Sequence, residues 1–150
     1  MVDKIPIVIG TSRNYDVERI KDFCDQAAPH LGVVKSLHGA SVLLKPNLIS
    51  SRASKLACSD ARFVRGVAEW FVDQGARLAI GDSPSFGSAS QVMKKMGISA
   101  CLQGLGVHAV EFKTPQEHLL THGVRVGIAQ EALDCDLFVN LPRIKAHSQM

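Results

Sequence analysis

The sequence predicts an α/β fold: a mostly parallel sheet with helices on both faces, a Rossmann-like three-layer sandwich whose sheet is incomplete within this chain. Three observations carry that prediction. Short apolar runs alternate with stretches in which apolar residues recur at the helical period. The runs are separated by enough chain for the crossover connections that parallel strands require. Polar segments containing proline or glycine follow three of the runs, and open α/β sheets place their ligands beyond such carboxyl ends.

Taken in order, Ile5-Pro6-Ile7-Val8-Ile9 predicts a first buried strand. From Asp16 to Leu31, apolar residues at Val17, Ile20, Cys24, Ala27, Ala28 and Leu31 predict an amphipathic helix. Val42-Leu43-Leu44 predicts a second strand, ended by Lys45-Pro46-Asn47 because proline cannot donate to a central ladder. Ser59 stands where an N-cap is expected, before a helix carrying Phe63, Val64, Val67 and Phe71 and stopped by Gly75. Leu78-Ala79-Ile80 predicts a third strand, the turn-rich segment Gly81 to Ser88 follows it, and Ala89 to Met96 predicts a helix with Gly97 as its terminator. Val107 to Phe112 and Val124 to Val126 are further strand candidates, Ala129 to Leu133 a short helix, and Leu137 to Val139 a last strand.

At 150 residues the chain fits one domain and can bury roughly 70% of its unfolded surface. A hydrophobic share of 46% with 21% charged residues excludes a disordered chain, and only 5% aromatics means a core of Val, Ile, Leu and Ala. The net charge of +3 is dispersed, without a Lys/Arg run or interleaved aromatics, so nucleic acid is not an expected partner. Residues 5–9 are too short an apolar stretch for a signal sequence or a membrane span, which makes a cytoplasmic location without membrane partners the expectation. Cys24, Cys58, Cys101 and Cys135 lie tens of residues apart, so reduced thiols are expected and no iron–sulfur cluster on residues 1–150 alone.

Three polar segments fall at predicted strand ends: Lys45-Pro46-Asn47-Leu48, Gly81-Asp82-Ser83-Pro84, and Asn140-Leu141-Pro142-Arg143-Ile144-Lys145-Ala146-His147. Jointly, in this order and spacing, they resemble domain of unknown function family 362, a widespread prokaryotic family. The resemblance implies the N-terminal portion of a longer family domain, and the family is often fused to a ferredoxin-like iron–sulfur module. It transfers a fold and a site but no reaction. The loop before the second helix departs from the family's usual Thr and Pro, showing Ala57-Cys58-Ser59-Asp60 instead.

The residue types suit a small anionic molecule. Lys45, Arg143 and Lys145 offer cations that would neutralise it, and Asn47, Ser83 and Asn140 offer orienting polar groups. The segment Gly81 to Ser88 supplies hydroxyls before a helix N-terminus, yet has neither a Walker ending nor a dinucleotide fingerprint. Asp82 would repel an anion unless a divalent cation intervenes or it transfers a proton, and His147 is the second candidate for proton or metal chemistry. Equally, Asp82 with Ser83 could only close a turn, and Asn47 could only form an Asx turn. Cys58, beside an expected helix N-terminus, is a candidate reactive thiol. Whether the chain is an enzyme stays open at this point. Two other readings stand beside anion binding: a redox accessory domain partnering a ferredoxin-like iron–sulfur module, and an interaction domain that assembles, as a homo-oligomer or with a second polypeptide, through an exposed sheet edge.

Overall fold

A computed structural model describes residues 5–33 and 36–145. Its elements are α1 (Val17–Ala27), β1 (Ser41–Pro46), α2 (Ala61–Asp73), β2 (Arg77–Asp82), α3 (Ala89–Met96), α4 (Ile98–Cys101), β3 (His108–Glu111), β4 (Pro115–Leu119), β5 (Arg125–Ala129), α5 (Gln130–Leu133) and β6 (Leu137–Leu141). Four strands form one sheet in the order β3-β2-β1-β6, every pairing parallel, and helices flank it. The expected α/β sandwich is what the chain forms. Separately, β4 and β5 pair as an antiparallel hairpin on the way back from β3 to β6.

The core follows from strand alternation. Val42 and Leu44 of β1, with Leu78 and Ile80 of β2, join Val64 and Val67 of α2 and Val92 and Met93 of α3 in one buried cluster. Leu43 falls between them on the opposite face, level in the ladder with Phe138, which is 41% exposed. α1 lies along α2, and Gly66 makes that approach close: a Cβ there would sit 2.8 Å from Ile20. Lys21 Nζ, 2.8 Å from Asp73, and Trp70 Nε1, donating to Asp25 over 2.6 Å, tie the same two helices at their polar margins.

The expected strand over Ile5 to Ile9 does not form. The segment joins no sheet, and Ile5, Ile7 and Ile9 are 81–85% exposed. An apolar run becomes a buried strand only when a ladder accepts it, and β6 occupies the place beside β1 while Pro6 lacks a donor. The first helix ends at Ala27, short of Leu31, because Pro29 offers no N–H to continue the helical ladder. Asp60, not Ser59, caps α2, its carboxylate accepting from the Arg62 N–H. Ser88 caps α3 through a reciprocal capping box with Gln91, and Gly97 ends that helix at φ 81° as expected. The β4 strand and α4 have no counterpart in the sequence reading. Pro115-Gln116-Glu117-His118-Leu119 is mostly polar and exposed, so its strand character comes from the partner β5 rather than from an apolar pattern.

Candidate functional site

Because β1, β2 and β6 run parallel, their carboxyl ends lie together, and the three polar segments meet there. Lys45 and Asn140 are level in the β1–β6 ladder. From β1, Lys45 Nζ reaches Asp82 Oδ1 at the end of β2, 2.6 Å away. Asp82 Oδ2 accepts the Leu48 N–H at 2.7 Å, so the carboxylate, 4% exposed, ties β2 to the loop that leaves β1. A charge this buried needs both its counter-ion and its hydrogen bond. Gly81 stands before it because a Cβ would lie 2.6 Å from Val110 Cγ2 and 2.7 Å from the Val110 carbonyl oxygen. Close approach to β3, rather than loop flexibility, is what this glycine provides.

Ser59 is the second tie. Its hydroxyl accepts the Asn47 N–H at 2.8 Å and donates to the Leu141 carbonyl at 2.6 Å, while its own N–H donates to the Asn47 carbonyl at 3.1 Å. One buried side chain thus joins the end of β1, the entry to α2 and the end of β6. On that frame, Lys145 Nζ donates to Asn47 Oδ1 at 2.6 Å and to the Ala57 carbonyl at 3.0 Å. Arg143 Nη1 donates to the Cys58 carbonyl at 3.3 Å. Arg143 and Lys145, two residues apart, therefore turn to the same loop.

Donor capacity remains. An ammonium has three N–H donors and a guanidinium five. Among the described residues Lys45 commits one to Asp82, Lys145 two to Asn47 and Ala57, and Arg143 one to Cys58, which leaves each cation with hydrogens not engaged by a described residue. Lys45 faces the Asp82 carboxylate, while Lys145 and Arg143 sit on the loop between β1 and α2.

Asn140 and Ser83 are exposed at this edge, and neither makes a side-chain hydrogen bond among the described residues. His147 lies outside the described residues. The Cys58 thiol is fully buried and belongs to the hydrophobic cluster, and enclosure of that kind suits packing rather than nucleophilic attack. Among the described residues, no three His, Cys, Asp or Glu side chains come together as a metal-binding group, and all four cysteines are free. Of the described helices, none is long and apolar enough to cross a membrane.

Two contributors escaped the sequence reading in their actual roles. Ser59 was expected as a helix cap; its decisive acceptor, Leu141, lies far along the chain, and no local pattern announces it. Glu111, level with Asp82 in the β2–β3 ladder, accepts the N–H groups of Ala89 and Ser90, each at 2.9 Å, and so anchors the start of α3. The Ser90 N–H is the main cause that holds the Glu111 carboxyl below its ordinary range, with the Ala89 N–H assisting against a desolvation that acts the other way.

The segments that build this edge also mark descent. The profile of the family described as Domain of unknown function (DUF362) matches residues 42–150, which begins in β1 and takes in all three polar segments. The chain belongs to this family. Among curated proteins, Thylakoid-associated protein sll1697 of Synechocystis sp. is 34% identical over 117 residues, covering 75% of this chain and 36% of that protein. The chain thus spans about a third of the length of this relative. No solved structure matches it.

Proposed function

We propose that this DUF362 chain receives a small anionic molecule at the carboxyl edge of its sheet. Lys45, Arg143 and Lys145 neutralise the anion, while Asn47, Ser83 and Asn140 orient it. Asp82 acts through Lys45, fixing the ammonium so that its remaining hydrogens point to a ligand, and with His147 it is the candidate for proton transfer or for holding a divalent cation. The observation that supports this most is the convergence of Lys45, Asn47, Arg143 and Lys145 at one edge, with N–H donors that no bond among the described residues engages.

Calorimetric titration with inorganic phosphate and small carboxylates tests the proposal. Lys145 is exposed, so Lys145→Ala should leave the melting temperature nearly unchanged and weaken binding by roughly ten-fold, the scale of one lost charge-assisted hydrogen bond. Lys45→Ala should abolish binding but also lower stability, since it strands the buried Asp82. Unchanged affinity in the Lys45→Ala, Lys145→Ala double variant would sink the assignment.

A second reading, assembly through the sheet edge, is favoured by two observations. The outer edge of β6 has no partner strand among the described residues, and Phe138 on that strand and the apolar run of Ile5, Ile7 and Ile9 stand exposed. Sedimentation analysis over a concentration series decides it: a strict monomer at high concentration removes this reading and leaves anion binding untouched.

A further inference from the structure

One cleft counts none of Lys45, Asp82, Arg143 and Lys145 among the residues that line it. The segment 10–15 runs beside α1, and between them and the start of α2 is a half-open cleft of about 920 Å3. α1 and α2 run in the same direction: Tyr15 meets Phe63 with ring centroids 6.2 Å apart, Ile20 meets Gly66, and Asp25 meets Trp70. Both helices therefore begin at the cleft end. The Gly10 backbone lies directly on the Phe23 ring, where a Cβ would come within 2.5 Å, so the ring and the segment hold each other in place.

The lining divides into two chemistries. Tyr15, Phe23 and Phe63 give aromatic walls, and Arg13, Arg19 and Arg62 give three guanidiniums against one lining carboxylate, Asp22. Arg62 is partnered by Asp60 and lies 5.5 Å from the centroid of the Tyr15 ring. Arg13 and Arg19 have no carboxylate within ion-pair distance among the described residues. Planar guanidinium forks match phosphate and carboxylate oxygens, and aromatic faces accept a flat ring. The volume is that of a site for a small organic ligand.

We propose that this cleft binds a small anion carried on a flat aromatic ring, with its phosphate or carboxylate on Arg13 and Arg19 and its ring against Phe23 and Tyr15. The site is separate from the carboxyl-edge site and does not depend on it. A nucleoside monophosphate and a simple aryl phosphate share this chemistry. The cationic rim alone would take any anion; the aromatic walls select one bearing a ring.

Calorimetric titration of the chain with adenosine monophosphate and with phenyl phosphate tests the proposal, with inorganic phosphate and adenosine in parallel. At least one ring-bearing phosphate should bind, roughly ten-fold or more tighter than inorganic phosphate or adenosine. The exposed pair Arg13→Ala, Arg19→Ala should lose that binding by at least a similar factor while melting normally, Phe23→Leu should weaken it, and Lys145→Ala should leave it unchanged. Failure of both ring-bearing phosphates to bind overturns the proposal. So does inorganic phosphate binding as tightly as the ring-bearing phosphates and losing that affinity in the double arginine variant, or ring-phosphate affinity unaffected by that variant. Loss of binding with Lys145→Ala would move the ligand to the carboxyl edge and likewise overturn the separate site.

Discussion

Replacing Ser59 by Ala removes one oxygen and separates three segments of chain. The Asn47 N–H loses its acceptor at 2.8 Å and the Leu141 carbonyl loses its donor at 2.6 Å. Ser59 is 4% exposed and Leu141 5%, so water does not readily replace the hydroxyl at the carbonyl, while the Asn47 N–H lies in a partly buried position. An unsatisfied buried polar group costs about 1–3 kcal/mol, and with one group fully and one partly enclosed the sum is about 2–4 kcal/mol. That is a large fraction of the roughly 5–15 kcal/mol by which a domain is stable. Urea denaturation followed by circular dichroism measures it, and the midpoint should fall while the slope is kept. Ser59→Thr, which keeps the hydroxyl, should recover most of the loss. A Ser59→Ala variant within about 0.5 kcal/mol of the parent, the range of an ordinary surface change, would refute the idea that this side chain ties the strand ends together.

The α1–α2 contact gives a prediction of sign. Gly66→Ala improves helix propensity by about 1 kcal/mol, but the new Cβ meets Ile20 side-chain atoms at 2.8 Å and the Val17 carbonyl at 3.2 Å, so overpacking at about 1–3 kcal/mol should win and lower the melting temperature; a rise would show that the helices separate freely. Glu111 has its folded pKa lowered, so the stability it contributes is fully present above the ordinary glutamate value of the unfolded chain and is lost as pH falls through the lower folded value. Glu111→Gln should therefore melt below the parent at neutral pH, with the difference closing in acid; a gap that stays constant with pH would refute the capping role. Burial pushes the Cys24 thiol up to about 11, which favours the neutral form, so thiol reagents at pH 8 should label it slowly in the folded chain and rapidly in urea.

Much of the site could be read in advance because its parts sit at strand ends, and strand ends are legible from apolar runs broken by Pro46, Gly81 and Asn140. The wiring could not be read. That Asp82 would take both Lys45 and the Leu48 N–H depends on β2 lying beside β1, a neighbour relation no local pattern encodes. Ser59 looked like a helix cap because Ser before an apolar helix generally is one, and the adjacent Asp60 took that role once the hydroxyl was committed to Asn47 and Leu141. The same limit explains Ile5 to Ile9: composition states that a segment would bury well, and only the sheet decides whether a place exists for it.

By itself the sequence determined the α/β class, the positions of most strands and of α2 and α3, the stop at Gly97, and the family motifs, because these depend on periodicity, capping and turn chemistry within a few residues. Tertiary structure alone decided the strand order β3-β2-β1-β6, the exclusion of the Ile5 to Ile9 run, the Lys45–Asp82 pair, the Ser59 tie and the arginine-rimmed cleft. The physical reason is the range of the interactions. Backbone propensities and caps act along the chain, whereas a buried charge or hydroxyl is satisfied by whichever segment the packed sheet brings within about 3 Å of it.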